Sequence, residues 1–280
     1  MTEQEPSRLD KRAVRRSFGR AAPAYDEVAV LQQEVGRRLL ERLDYMRVAP
    51  RTVLDLGCGT GQVAEGLARR YRRALVTGID IAESMLRLAA GRGPWWNRPR
   101  WAAGDIEVLP VRGGCADMIL SNLTLQWCND LPGVLGELRR ALAPGGMLLF
   151  STFGPDTLRE LRAAWAAVDD HTHTNRFIDM HIIGDELLRA GFADPVMDME
   201  HFTLTYKDVR ALMCDLKAMG AHNVTAGRRR GLTGRGALAR VEAEYEKLRR
   251  DGVLPATFEV IYGHAWAPQD SVEVQLEVRG

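Results

Sequence analysis

The run VLDLGCGTG, from Val53 to Gly61, constrains this chain more than any other stretch. Apolar residues around one aspartate make a buried strand, and glycines at 57, 59 and 61 then force a tight turn. An amphipathic run follows, from Gly61 to Arg70, and reads as a helix. A strand that turns into a helix is the opening unit of a parallel sheet, because parallel neighbours need a crossover between them. The unit then recurs. ALVTGID (74–80), RWAAGD (100–105), ADMILSN (116–122) and GGMLLFSTF (145–153) read as further strands, with helices over Ser84 to Ala90 and over 131–142. Beyond Phe153 the spacing predicts helices over 156–168, 184–192, 208–220 and about 235–250, and strands over 198–206 and 257–267. These seven strands predict an α/β fold with a doubly wound, mostly parallel sheet. Residues 1–50 read as a helical prelude, and SVEVQLEV near the end alternates like a strand with no partner specified.

Composition narrows the class further. The chain is 46% apolar and 27% charged, the balance of an ordinary soluble globular protein. Thirty-eight basic side chains nearly cancel thirty-seven acidic ones, so no overall field advertises nucleic acid or an anionic membrane. The opening MTEQEPSRLDKR is too polar for a secretory signal, and no apolar run approaches the roughly 18 residues of a spanning helix. Cys58, Cys115, Cys128 and Cys214 stand apart, which fits reduced thiols in a cytoplasmic protein rather than a disulfide framework or zinc site.

The glycine turn says what it does not hold. A dinucleotide fingerprint needs its third glycine one place later, where Gln62 stands, and a phosphate-cradling loop needs a lysine where Gln62 and Val63 follow. The backbone therefore lets a ligand come close without neutralising phosphates. Asp55, before the turn, repels a pyrophosphate and welcomes a cation such as an ammonium or sulfonium. Asp80 ends the second strand, where a carboxylate accepts ribose hydroxyls. Asp105 ends the third, placed to accept from an adenine amino group. Three acids at neighbouring strand tips suit a cationic adenosine compound; the other reading of Asp55 and Asp105 is as turn formers or helix caps.

VLDLGCGTG, GID, AGDIEVLP and LAPGG, taken in this order, resemble the class I, Rossmann-like methyltransferases that use S-adenosylmethionine. The resemblance implies a cofactor set of Asp55, Gly57, Cys58, Gly59, Gly61, Asp80, Ile81, Asp105, Ile106 and Asn122. SFGRAAPAYD, SNLTLQWCNDL, STFGPDTLREL, NRFID and DLKAMGAHNV are similar to the malonyl-acyl-carrier-protein O-methyltransferases of biotin synthesis, over about 17–266. That family methylates the free carboxylate of malonyl held on an acidic carrier protein. The implied organisation is an N-terminal segment (1–50) over the cofactor, a methyltransferase domain (51–267) with lid elements at about 165–195 and 207–250, and a tail (268–280). The chain departs from the family in its long first segment and its tail. A small-molecule acceptor, such as a quinone precursor or a free dicarboxylic acid, is the alternative.

A carboxylic acid with a pKa near 4 is ionised at neutral pH and needs no general base, in keeping with a sequence in which no acid–base pair stands out. What it needs is recognition and dryness. Arg176 in TNRFID offers a guanidinium fork for a carboxylate, or else a salt bridge that staples the lid. Tyr25 in APAYD offers a phenol to a substrate oxygen, or a ring to the core. Gln126 and Trp127 follow the fourth strand, where the methyl acceptor belongs, Asn122 stands at that strand's tip to assist, and His222 is a lid candidate. His171, His173 and His181 lack the partners of a metal set, so no metal is expected. Lys11, Arg12, Arg15, Arg16 and Arg20 on one helix, and Arg228 to Arg230, are the cations for an acidic carrier, or simply solvated faces. No sequence feature specifies an oligomeric state.

Overall fold

The computed structural model describes residues 9–169, 173–175, 177–219 and 234–269. Three helices, α1 (Lys11–Ala21), α2 (Tyr25–Val28) and α3 (Val30–Arg42), precede the sheet. Its strands are β1 (Thr52–Leu56), β2 (Leu75–Asp80), β3 (Arg100–Ala103), β4 (Ala116–Asn122), β5 (Leu142–Phe153), β6 (Ala193–Tyr206) and β7 (Leu254–Trp266). The crossover helices are α4 (Gln62–Arg70), α5 (Glu83–Ala89) and α6 (Leu131–Ala141). Later come α7 (Arg159–Ala166), α8 (Met180–Arg189), α9 (Val209–Ala218) and α10 (Arg235–Glu246). The strand order is β3-β2-β1-β4-β5-β7-β6. The first five run parallel, while β7 lies antiparallel between β5 and β6. This is the doubly wound, mostly parallel sheet the strand–helix alternation predicts.

Strand side chains alternate between two cores, as a two-sided sheet requires. Val53, Met118, Leu120, Met147 and Leu149 pack with Val35 and Leu39 of α3, Leu67 of α4 and Leu212 of α9. Leu54, Leu56, Ile119, Leu148 and Phe150 face the other way, onto Leu135 and Leu138 of α6 and Ile183 and Leu187 of α8. Polar links fix α3 as well. Arg42 donates to Asp198 at 2.7 Å and Glu200 at 3.1 Å, and its guanidinium lies 4.1 Å over the Tyr262 ring.

Two element starts differ from the sequence reading by four residues or more. Helix α8 starts at Met180 rather than 184, because the Asp179 carboxylate accepts the His181 N–H at 2.8 Å and caps it. Strand β6 starts at Ala193 rather than 198, bulged between Ala193 and Val196 with Asp194 at φ 49°, because β7 offers it a long ladder. Among the described residues no helix is long and apolar enough to cross a membrane.

Candidate active site

A cavity of about 290 Å3 opens at the carboxyl ends of β1, β2 and β4, roofed by α1 to α3. Its floor is the turn from Gly57 to Gly61. Gly57, Gly59 and Gly61 take φ values of 69°, 54° and 85°, in the left-handed region that glycine enters at no steric cost. The glycines do different work. A Cβ on Gly57 would lie 2.1 Å from Thr124 Oγ1, so that glycine is needed for packing. On Gly59 the nearest atom would be Tyr25 Cε1 at 4.0 Å, so its bare backbone faces open space, the cradle that a closely approaching ligand needs. Gly57 and Cys58 both donate to Ile79 O, at 2.8 and 3.1 Å, which pins the turn against β2.

Asp55 is 1% exposed and its Oδ2 has no hydrogen-bond partner among the described residues. Burial pushes its carboxyl up to about 7; the Ala64 N–H works against that and the charge of Asp80 adds to it. A buried oxygen acceptor left unpaired beside a cavity is the arrangement a cationic ligand completes. Asp80 carries two loads. Its Oδ2 accepts Gly59 N at 2.9 Å and its Oδ1 accepts Ala82 N at 2.7 Å, which staples the turn to β2. Each oxygen keeps a lone pair toward the cavity that Asp80 lines. Burial raises its carboxyl too, opposed by those N–H groups.

Asp105 lines the cavity but is not bare. Lys11 Nζ lies 3.1 Å from Asp105 Oδ1 and 3.0 Å from Glu107 Oε1, so α1 is clamped to the strand tip that the sequence assigned to adenine. Ile81, Ile106 and Cys58 complete the wall, and burial raises the Cys58 thiol well above its usual range.

The acceptor-side candidates divide. Tyr25 and Trp127 both line the cavity, bridged by Phe18, whose ring meets Trp127 edge-on at 5.2 Å and Tyr25 at 6.5 Å. Burial, then the charges of Asp80 and Asp26, lift the Tyr25 phenol far above its ordinary range. It stays a donor and cannot serve as a base. Asn122 lines the cavity with its amide engaged: Nδ2 donates to Gln32 O at 3.0 Å and Oδ1 accepts the Ser151 hydroxyl at 2.8 Å. Gln126 does not line it. Its Nε2 donates to Leu123 O at 2.6 Å and its Oε1 accepts Thr152 Oγ1 at 3.1 Å, so it braces the turn after β4 in which Leu123 holds φ 49°. Arg176, His171, His222 and Arg228 to Arg230 lie outside the described residues. His173 stacks on Trp165 at 3.5 Å and pairs with Asp169 at 2.8 Å.

Three features in or beside the cavity escape the sequence reading. Asp26 takes the Thr60 hydroxyl at 2.6 Å, Gln62 Nε2 at 3.0 Å and the Arg92 guanidinium on one carboxylate. Gln32 places a buried Oε1 without a partner in the cavity wall. Lys11, read only as a surface cation, points inward. Asp26 stands beside Tyr25 in APAYD, a signal that adjacency offered. Gln32 and Lys11 sit in ordinary amphipathic helices and carry no comparable mark.

Comparison with known proteins agrees with this geometry. Residues 54–150 match a family model described as "Methyltransferase domain". A malonyl-[acyl-carrier protein] O-methyltransferase of Gallionella capsiferriformans is 54% identical over 270 residues, covering 94% of this chain and 93% of that protein. One of Halorhodospira halophila is 52% identical, covering 100% and 98%. Among solved structures, a methyltransferase of Bacillus halodurans superposes with a TM-score of 0.61 at 18% identity, covering 84% of this chain and 99% of that one. A phosphoethanolamine N-methyltransferase of Haemonchus contortus, held with S-adenosylhomocysteine, gives 0.50 at 18% identity, covering 84% and 52%. The chain is thus an S-adenosylmethionine-dependent methyltransferase and belongs to the malonyl-[acyl-carrier protein] O-methyltransferase family.

Proposed function

We propose that this chain methylates the free carboxylate of a malonyl thioester carried on an acyl carrier protein, giving the methyl ester, an early step of biotin synthesis. The observation that carries this reading is the reach of the likeness. Identity of 54% extends over 94% of the chain, well beyond the cofactor half, through the N-terminal roof and the segments after β5 where an acceptor binds. S-adenosylmethionine supplies a methyl group on a positively charged sulfur.

The chain's own residues then have limited tasks. Asp55 and Asp80 hold the cationic nucleoside, and the bare Gly59 backbone lets it seat closely. The acceptor arrives ionised, so no base is required. The protonated Tyr25 phenol donates a hydrogen bond to one malonyl oxygen, and Arg176 binds the carboxylate through its fork, leaving one oxygen free toward the methyl group. Phe18 and Trp127 keep the contact dry, which favours an anion and a cation collapsing to neutral products. Alignment of the reactants contributes about 7–11 kcal/mol of the barrier reduction. The segments at about 165–195 and 207–250 act as the lid that excludes water.

Mass spectrometry of malonyl-carrier protein incubated with S-adenosylmethionine tests the reading. The expected result is a gain of one CH2, absent when acetyl replaces malonyl. Methylation of a free dicarboxylic acid or a phenol instead, with the carrier-bound acid untouched, would replace it. Arg176→Ala should abolish turnover while cofactor affinity stays near wild type.

A further inference from the structure

The five cations of α1 are not one group. Lys11 is held by Asp105 and Glu107, and Arg15 lies 2.6 Å from Glu83. Both are used in fastening α1 to the body. Arg12, Arg16 and Arg20 recur every fourth residue, so they form one row, on a different side of the helix from Lys11, Val14 and Phe18, which line the cavity. All three are exposed. Among the described residues the only carboxylate within ion-pair distance of the row is Asp10, 4.0 Å from Arg16.

A second set of arginines provides the contrast. Arg72, Arg73, Arg98 and Arg100 are exposed and make no ion pair among the described residues, around Trp95 and Trp96, which are 81% and 45% exposed. They sit where β2 and β3 begin, and the cavity sits where those strands end. A thioester arm anchored there would have to round the whole sheet. Helix α1 is itself the cavity roof, about 10 Å thick, so an arm anchored on its outside reaches the cavity by passing one helix.

We infer that Arg12, Arg16 and Arg20 form the docking row for the acidic carrier protein; this rests on the carrier-bound acceptor proposed above. Uncommitted guanidinium groups facing an acidic helical surface steer encounter, with an effect that falls as salt screens it. Docking on the roof also explains why the inner cations are tied down: a partner pulling on α1 then loads a helix fastened at Lys11 and Arg15.

The test compares two acceptors, malonyl-carrier protein and a malonyl thioester of a short thiol. For R12E/R16E/R20E, the expected result is a KM for malonyl-carrier protein raised at least ~10-fold at low salt, with its salt dependence flattened or reversed. R12Q/R16Q/R20Q should show a smaller rise of the same sign. Turnover of the short thioester, cofactor affinity by calorimetry and Tm (within about 2 °C) should match wild type. R72E/R73E should leave the carrier KM unchanged. The docking row is overturned if the triple reversal leaves the carrier KM alone, if it costs the short thioester equally, or if R72E/R73E gives the larger effect. Wild-type enzyme that methylates neither malonyl substrate would instead remove the acceptor reading, and the row with it.

Discussion

Asp26 Oδ1 accepts the Thr60 hydroxyl at 2.6 Å, joining the helical roof to the glycine turn beneath it. Gln62 and Arg92 converge on the same carboxylate, and Gln33 Nε2 donates to Asp26 O at 2.6 Å. One residue therefore sets how Tyr25, its neighbour, meets the cavity. Partly exposed charge pairs of this kind contribute only about 0–1 kcal/mol to stability, so their importance lies in closure. Asp26→Ala should lower Tm by no more than a few degrees while speeding cofactor dissociation ~10-fold in a stopped-flow chase. Asp26→Asn, which still accepts from Thr60, should fall between. Unchanged dissociation would mean that the roof does not gate the site.

With Asp55 holding the cofactor as proposed, its raised pKa should make cofactor binding pH-dependent. A cation beside Asp55 favours its ionised form, so below about 7 binding expels a proton. Affinity for S-adenosylmethionine should therefore rise with pH and level off above about 7. Asp55→Asn should flatten that slope. Titration calorimetry in two buffers of different ionisation enthalpy counts the released proton directly. The same carboxyl affects the free protein in the opposite sense. Its folded pKa lies above the ordinary value of 3.8, so its contribution to stability declines as pH rises from the carboxylate range toward 7.

Two glycines of one turn should fail differently. Gly57→Ala adds a clash with Thr124 to an unfavourable φ, and so should cost several kcal/mol and show as a large loss of Tm. Gly59→Ala pays only the backbone cost of about 1–2 kcal/mol, but its methyl projects where the ligand seats. Its Tm should fall modestly and its cofactor Kd rise more than ~10-fold. Equal Tm losses in the two variants would contradict the assignment of Gly59 to the ligand.

Gln32 holds an unpaired Oε1 between the tip of β4 and the end of α9, where its Nε2 lies 3.4 Å from Met219 Sδ. Removing a buried unsatisfied acceptor should stabilise the free protein by about 1 kcal/mol, and Gln32→Leu keeps the shape. The variant should gain a few degrees in Tm, hold its cofactor Kd and raise its acceptor KM. Thermal melts beside steady-state kinetics decide it: a variant that loses Tm and leaves the acceptor KM unchanged would mark Gln32 as a packing residue.

The sheet and the glycine turn that floors the cavity were legible in the sequence because both depend on local pattern. Apolar runs ending in Asp55, Asp80 and Asp105 specify strand tips, and the left-handed φ values at 57, 59 and 61 specify glycine. What was not legible depends on contacts between distant segments. Gln126 sits in a motif that resembles an acceptor site, yet its amide is consumed by Leu123 and Thr152, 26 residues apart in the second case. Lys11 looks like any helix-surface cation until folding brings Asp105 to it, 94 residues away. A boundary such as the start of α8 was missed because the cap at Asp179 lies in an irregular stretch, and the spacing weighs only the helix body.

Strand β7 lies between β5 and β6, and among the described residues β6 pairs with no other strand. During synthesis β1 to β5, which carry the glycine turn and the cavity floor, are all present once residue 153 has cleared the ribosome. Strand β6 must wait for residues 254–266 before it gains a neighbour. A nascent chain halted between those points holds the cavity-bearing half with an unzipped border, so a ligand seated in that cavity would brace the protein before its last strand exists.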